Sequence, residues 1–163
     1  MRKLACSLIL LLGVAAARGQ TAASAPPAPP RIVGAFFALS VADLEATSAW
    51  YRDKLGFRVA SRGEAPNKIA KFALLEKEGS IIELVQHREA RPRSAAAPGV
   101  KDAHLIHGIF KVGFHVTDLD AVYRRVKEQG IPIAHDLMPG KDIDLRSFII
   151  RDREDNLIQF FGP

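Results

Sequence analysis

The chain has 163 residues, with 23 Lys and Arg against 18 Asp and Glu, a formal net charge of +5 and a single cysteine. That length suits one domain of ordinary size with its own core. A lone cysteine excludes an internal disulfide framework, and no Lys/Arg run interleaved with aromatics points to nucleic acid.

Residues 1–19 read as a secretory signal peptide. Met1-Arg2-Lys3 is a positive n-region, Leu4 to Ala17 is an apolar run too short for a comfortable membrane span, and Ala15-Ala16-Ala17 and Ala17-Arg18-Gly19 offer small-residue cleavage sites. The alternative is a retained anchor helix, but no positive stop-transfer signal follows. Cys6 lies inside this segment, so processing leaves no cysteine, and losing Arg2, Lys3 and Arg18 lowers the net charge from +5 to +2. The pI near 9.6 therefore overstates the basicity of the working protein. Residues 20–30 are rich in Ala and Pro and form an extended tether. The expected location is periplasmic or secreted, with no stable membrane insertion after processing.

The folded domain is expected over residues 31–163. Residues 31–41 form a first strand with Phe37, Leu39 and Val41 on one face and Phe36, Ala38 and Ser40 on the other. Asp43 stands at a helix N-cap, Leu44, Thr47, Tyr51 and Leu55 make one stripe, and Gly56 stops the helix. A short strand at 57–61, a turn-rich connection at 62–67 and a hairpin of 68–75 with 80–85 around Glu78-Gly79 complete module one, residues 31–86. The connector, residues 87–107, carries Arg88, Arg91, Arg93 and two prolines; it is either a plain link or a lid over a site.

Module two, residues 108–163, repeats this order. Val112, Phe114 and Val116 alternate with Lys111, Gly113 and His115; Asp118 caps a helix with Leu119, Val122, Tyr123 and Val126 on one stripe; Gly130 ends it. Ile131 and Ile133 open another strand, a loop is expected at 135–144, and strands at 145–151 and 156–161 flank the turn Asp152-Arg153-Glu154-Asp155. Val41-Ala42-Asp43-Leu44 matches Val116-Thr117-Asp118-Leu119 at an offset of 75, and Ile82-Glu83-Leu84 answers Ile158-Gln159-Phe160 at 76. So steady an offset indicates a duplicated module.

Alternation separates two faces. The helix-covered face takes only apolar residues from the first and last strand of each module, whereas the other takes Phe36, Ser40, Glu83, Lys111, His115 and Gln159. Phe36, Ile81, Leu157 and Phe161 on that second face argue for a half-apolar pocket with a few polar groups, the usual composition of a ligand site. An openly solvated sheet face is the bland alternative.

The paired V-x-D-L-[ED]-A junctions, the W-Y-R-D-K-L-G-F helix end and the closing D-R-E-D-N-L-I-Q-F resemble the vicinal oxygen chelate superfamily, which includes glyoxalase I, extradiol dioxygenases and bleomycin-resistance proteins. The resemblance spans about residues 31–162. It implies an α+β fold of two pseudo-symmetric βαβββ modules whose curled mixed sheets form a cup, often completed by dimerisation, so a homodimer is an expected partner. Metal-dependent members place ligands at positions that fall here on Phe36, Glu83, Lys111 and Gln159. Of these only Glu83 is a good ligand, and the Lys111 ammonium would repel a cation. The expected site therefore holds no metal and no cofactor, a displaced Glu83–His115 pair being the remaining metal option. Lys111 is expected to pair with Glu83 in place of the metal.

These observations lead to an exported protein that binds a small molecule in the cup without a metal, through Phe36, Ser40, Glu83, Lys111, His115 and Gln159. One rival is a glyoxalase-type lyase or isomerase acting on a small carbonyl compound, with Glu83 or His115 as base beside Lys111. Another is a structural or interaction module without a ligand.

Overall fold

Asp43 and Asp118 open the two long helices in the same way. Each backbone is extended at the cap, and each carboxylate accepts from the N–H three residues on, Ala46 at 3.0 Å and Ala121 at 2.8 Å. The computed structural model describes residues 36–140 and 146–163; the expected signal peptide and tether lie outside the described residues. Module one runs β1 (Phe36–Ser40), α1 (Leu44–Leu55), β2 (Arg58–Glu64), β3 (Ala70–Lys77) and β4 (Ser80–His87). A four-residue helix, α2 (Arg93–Ala96), and a 3₁₀ turn (Ala103–Leu105) follow in the connector. Module two runs β5 (Lys111–His115), α3 (Leu119–Glu128), β6 (Ile133–Met138), β7 (Arg146–Arg151) and β8 (Leu157–Gly162). After both long helices a glycine takes the left-handed conformation, Gly56 at φ 75° and Gly130 at φ 64°.

The strands make two four-stranded sheets, ordered β1-β4-β3-β2 and β5-β8-β7-β6. In each, the first strand pairs in parallel with the last, Phe36 opposite Ile81 and Lys111 opposite Leu157, and the other pairings are antiparallel. The sheets stay open and meet through their helix-covered faces. Phe114 lies between Phe37, Phe57 and Phe160, with ring centroids 5.7, 5.6 and 5.8 Å away. Around this seam Leu75, Ile82, Leu84, Leu119, Phe148, Ile150 and Ile158 are fully buried. Each such side chain contributes about 1.5–3 kcal/mol by leaving water.

A polar junction also ties the modules. The turn between β7 and β8 docks on the start of α1: the Glu154 carboxylate accepts from the Thr47 hydroxyl at 2.7 Å and from the Ala42 N–H at 3.1 Å. The buried Tyr51 hydroxyl donates to Asp152 at 2.8 Å. Asp152 also accepts from the N–H groups of Glu154 and Asn156 and from the Asn156 amide, so its burial is offset by a full set of donors.

Three expectations change. β2 continues to Glu64 in register with β3, so the connection expected at 62–67 begins later. The loop expected at 135–144 begins later, because β6 continues to Met138. Register shifts on both sides of His135 break the alternation, and Asp136, which accepts from the Tyr123 hydroxyl, gives the segment a loop-like polarity. The connector is no bare loop, since it holds α2 and the 3₁₀ turn, yet none of its residues is buried.

Candidate functional site

The face of each sheet turned away from its helix collects the residues of interest. On module one, β1 supplies Phe36, Ala38 and Ser40, and β4 supplies Ile81, Glu83 and Val85 in register beside them. Leu74 stands opposite Glu83 and Phe72 opposite Val85 on β3. The Phe72 ring lies over Gly63, where a Cβ would fall 2.2 Å from it, so only glycine permits that packing. On module two, β5 supplies Lys111, Gly113 and His115, and β8 supplies Leu157, Gln159 and Phe161. His135 and Gln159 both pair with Ile149, so they share its face from either side. The His115 ring meets Phe161 edge-on at 5.2 Å. Ala38 and Gly113, the smallest side chains here, stand next to Glu83 and Gln159 and keep the floor between the polar groups low.

This face is more open than the alternation implied. Phe36 is 65% exposed and Ile81 42%, Ser40 and His115 are exposed, and Glu83, Lys111 and Gln159 are half-buried. The reason is architectural: the modules meet through their helix-covered faces, so one chain leaves both cup faces uncovered. The expected Lys111–Glu83 ion pair is a further correction. Among the described residues neither side chain forms an ion pair, and the Lys111 ammonium sits 5.5 Å from the centre of the Phe110 ring. The two residues belong to different sheets, and a cation over a ring keeps its hydration while gaining about 0.5–1 kcal/mol. Thus Phe36, Ser40 and Glu83 share sheet one and Lys111, His115 and Gln159 share sheet two, and among the described residues no ion pair joins the two groups.

The donor set does not suit a metal ion. A phenyl ring and an ammonium occupy two of the four family positions and an amide a third; among the described residues no three His, Cys, Asp or Glu side chains converge. The strongest electrostatic perturbation lies outside the cup, at the junction. Burial first, and then the Asp152 carboxylate, push the Tyr51 phenol far above its ordinary value. At the start of α3, Arg146 holds the Asp120 carboxyl below its usual range through a bidentate pair at 3.0 and 3.1 Å.

Sequence reasoning missed Phe72, Leu74 and His135 as cup residues. Phe72-Ala73-Leu74-Leu75 is apolar on both faces, so a period of two assigns neither, and His135 lies in the irregular part of β6.

The sequence profile described as Glyoxalase/Bleomycin resistance protein/Dioxygenase superfamily matches residues 34–160. The chain belongs to that superfamily. It is 29% identical over 127 residues to a bleomycin resistance protein of Geobacillus stearothermophilus, covering 76% of this chain and 92% of that protein, and matches a Staphylococcus aureus bleomycin resistance protein to the same extent. A glyoxalase family protein from Enterococcus faecalis superposes with a TM-score of 0.63 at 20% identity, over 80% of this chain and 96% of the other. These likenesses carry the superfamily's α+β fold, seen here as two repeated modules with separate sheets.

Proposed function

We propose that this superfamily member is exported and binds a small molecule on the cup face without a metal ion, a second copy of the chain closing the cup. One observation carries the reading: a half-apolar face with Phe36 and Ile81 left exposed around half-buried Glu83. Apolar surface of that kind marks a contact with a ligand or another protein. The relatives named bleomycin resistance proteins support small-molecule binding and make that antibiotic the first compound to try. Export rests on the n-region and apolar run of residues 1–19.

Four measurements test this. Sedimentation should give a dimer, elemental analysis no stoichiometric transition metal, and N-terminal sequencing of exported protein a start between Arg18 and Ser24. Saturable binding of a screened compound, lost on Phe36→Asp, would support the cup. One zinc, nickel, manganese or iron per chain, removed by chelator with loss of an activity, would overturn the metal-free reading. His115, an exposed imidazole on the cup face, favours a second reading as a lyase or isomerase. Turnover of a small carbonyl compound that disappears in His115→Gln would establish it.

A further inference from the structure

The duplicated modules meet at two pseudo-equivalent junctions, and only one is filled. Where the β7–β8 turn meets α1, Tyr51 and Thr47 reach Asp152 and Glu154. At an offset of 75 their counterparts on α3 are Val126 and Val122, which have neither a phenol nor a hydroxyl to offer. The facing turn is also shorter: four residues separate Glu76 from Ile81 across β3 and β4, against five between Arg151 and Leu157. The counterpart of Glu154 is Glu78, and it makes no ion pair among the described residues. What remains is a cavity of about 170 Å³ beneath α3, bordered also by His115 at the end of β5.

Its walls have two characters. The floor is apolar, with Phe57, Phe114, Val122 and Val126 among its residues, and Lys54, Lys77 and Arg125 stand around it against the single carboxylate of Glu78. Two of these cations have a structural task. Lys77 donates to the Leu55 carbonyl and Lys54 to the Gln129 carbonyl, each at 3.0 Å, which satisfies the ends of α1 and α3. An ammonium has three N–H donors, so each keeps two for another acceptor. Arg125 is exposed at the mouth, where its guanidinium donates to the Gln129 side-chain oxygen at 3.2 and 3.3 Å and keeps further N–H donors for a ligand.

We propose that this cavity is a second ligand site, distinct from the cup although His115 borders both, for a small monocarboxylic acid with a compact apolar body. The ring or branched chain fills the space that Tyr51 fills at the other junction, and the carboxylate meets Arg125 and Lys54. Size agrees: an apolar cavity of about 150 Å³ holds benzene. A neutral molecule of the same shape leaves the cations unused, so charge sets the selectivity.

Benzoate tests this, with benzamide as its neutral counterpart, by amide chemical shifts of the isotope-labelled full domain. Benzoate should shift Val116, Val122 and Val126 saturably, and benzamide should not. Arg125→Gln should weaken binding by about tenfold or more, as expected for loss of a charge-assisted hydrogen bond. Val122→Phe fills the cavity and should abolish the shifts. If Val122→Phe does not fold, the benzoate–benzamide contrast and Arg125→Gln decide alone. Equal binding of benzamide, shifts confined to Phe36, Glu83 and Gln159, no saturation, or an unchanged affinity in Arg125→Gln would each overturn the proposal.

Discussion

The two junctions between the modules start from the same parts and end differently. At one, a five-residue turn carrying Asp152 and Glu154 closes on Thr47 and Tyr51; at the other, the two-residue turn Glu78-Gly79 faces Val122 and Val126 across a cavity. Duplication thus preserves caps, the pairing of first with last strand and strand order while leaving the contact between copies free to diverge. A polar junction forms only when both sides supply partners. Without a donor at positions 122 and 126 of the helix, the turn's carboxylate is better left in water than buried.

The sharpest way to break the comparison is Asp152→Ala. It leaves the Tyr51 hydroxyl buried without its acceptor and frees two turn N–H groups, and should cost about 3 kcal/mol by the usual penalty for orphaned partners of a charged group. Urea unfolding measures it, whereas Glu78→Ala at the open junction should change little.

Alkaline unfolding is the next test. Tyr51 is held protonated in the folded chain well above its ordinary value of 10.0, while the unfolded chain releases that proton near 10. The unfolded state then binds fewer protons, so this contribution to stability is whole below pH 10 and declines as the pH rises beyond it, at up to about 1.4 kcal/mol per unit. Tyr51→Phe should lower stability at neutral pH by about 1 kcal/mol and remove that component of the alkaline slope. An unchanged slope would mean that the phenol does not report on the junction.

Thr47→Val tests the second bond of the closed junction and makes it resemble the open one. Loss of the hydroxyl's donation to Glu154 should cost about 1 kcal/mol. The smallest difference is expected where the modules agree. Asp43→Ala and Asp118→Ala each remove a cap and should each cost about 1 kcal/mol, and by nearly equal amounts because the two caps share one geometry.

The fold was largely legible because its signals are local. Asp43 and Asp118 announce helix starts through cap chemistry, Gly56 and Gly130 announce stops through the left-handed residue they supply, and alternation along β1, β4, β5 and β8 sorts the faces. β6 was less legible because its register shifts twice within six residues, so its side chains do not alternate cleanly. The cup residues were identifiable as members of one kind of face, but not their partnerships. Lys111 and Glu83 occupy related positions in a repeated pattern, which is no statement of distance, and the long lysine side chain lies over Phe110 instead.

By itself, the sequence determined the duplication, the order and capping of the elements, and which side of each outer strand is apolar, because these follow from spacings of a few residues and from a steady offset. Only the tertiary structure decided how the copies dock. It placed Asp152 beneath Tyr51, more than a hundred residues away in the chain, turned the helix-covered faces toward each other and left both cup faces open. It also left the second junction hollow. These outcomes depend on side-chain volumes meeting across the modules, where a tyrosine on one helix fills the space that a valine on the other leaves empty, and no local pattern encodes that encounter.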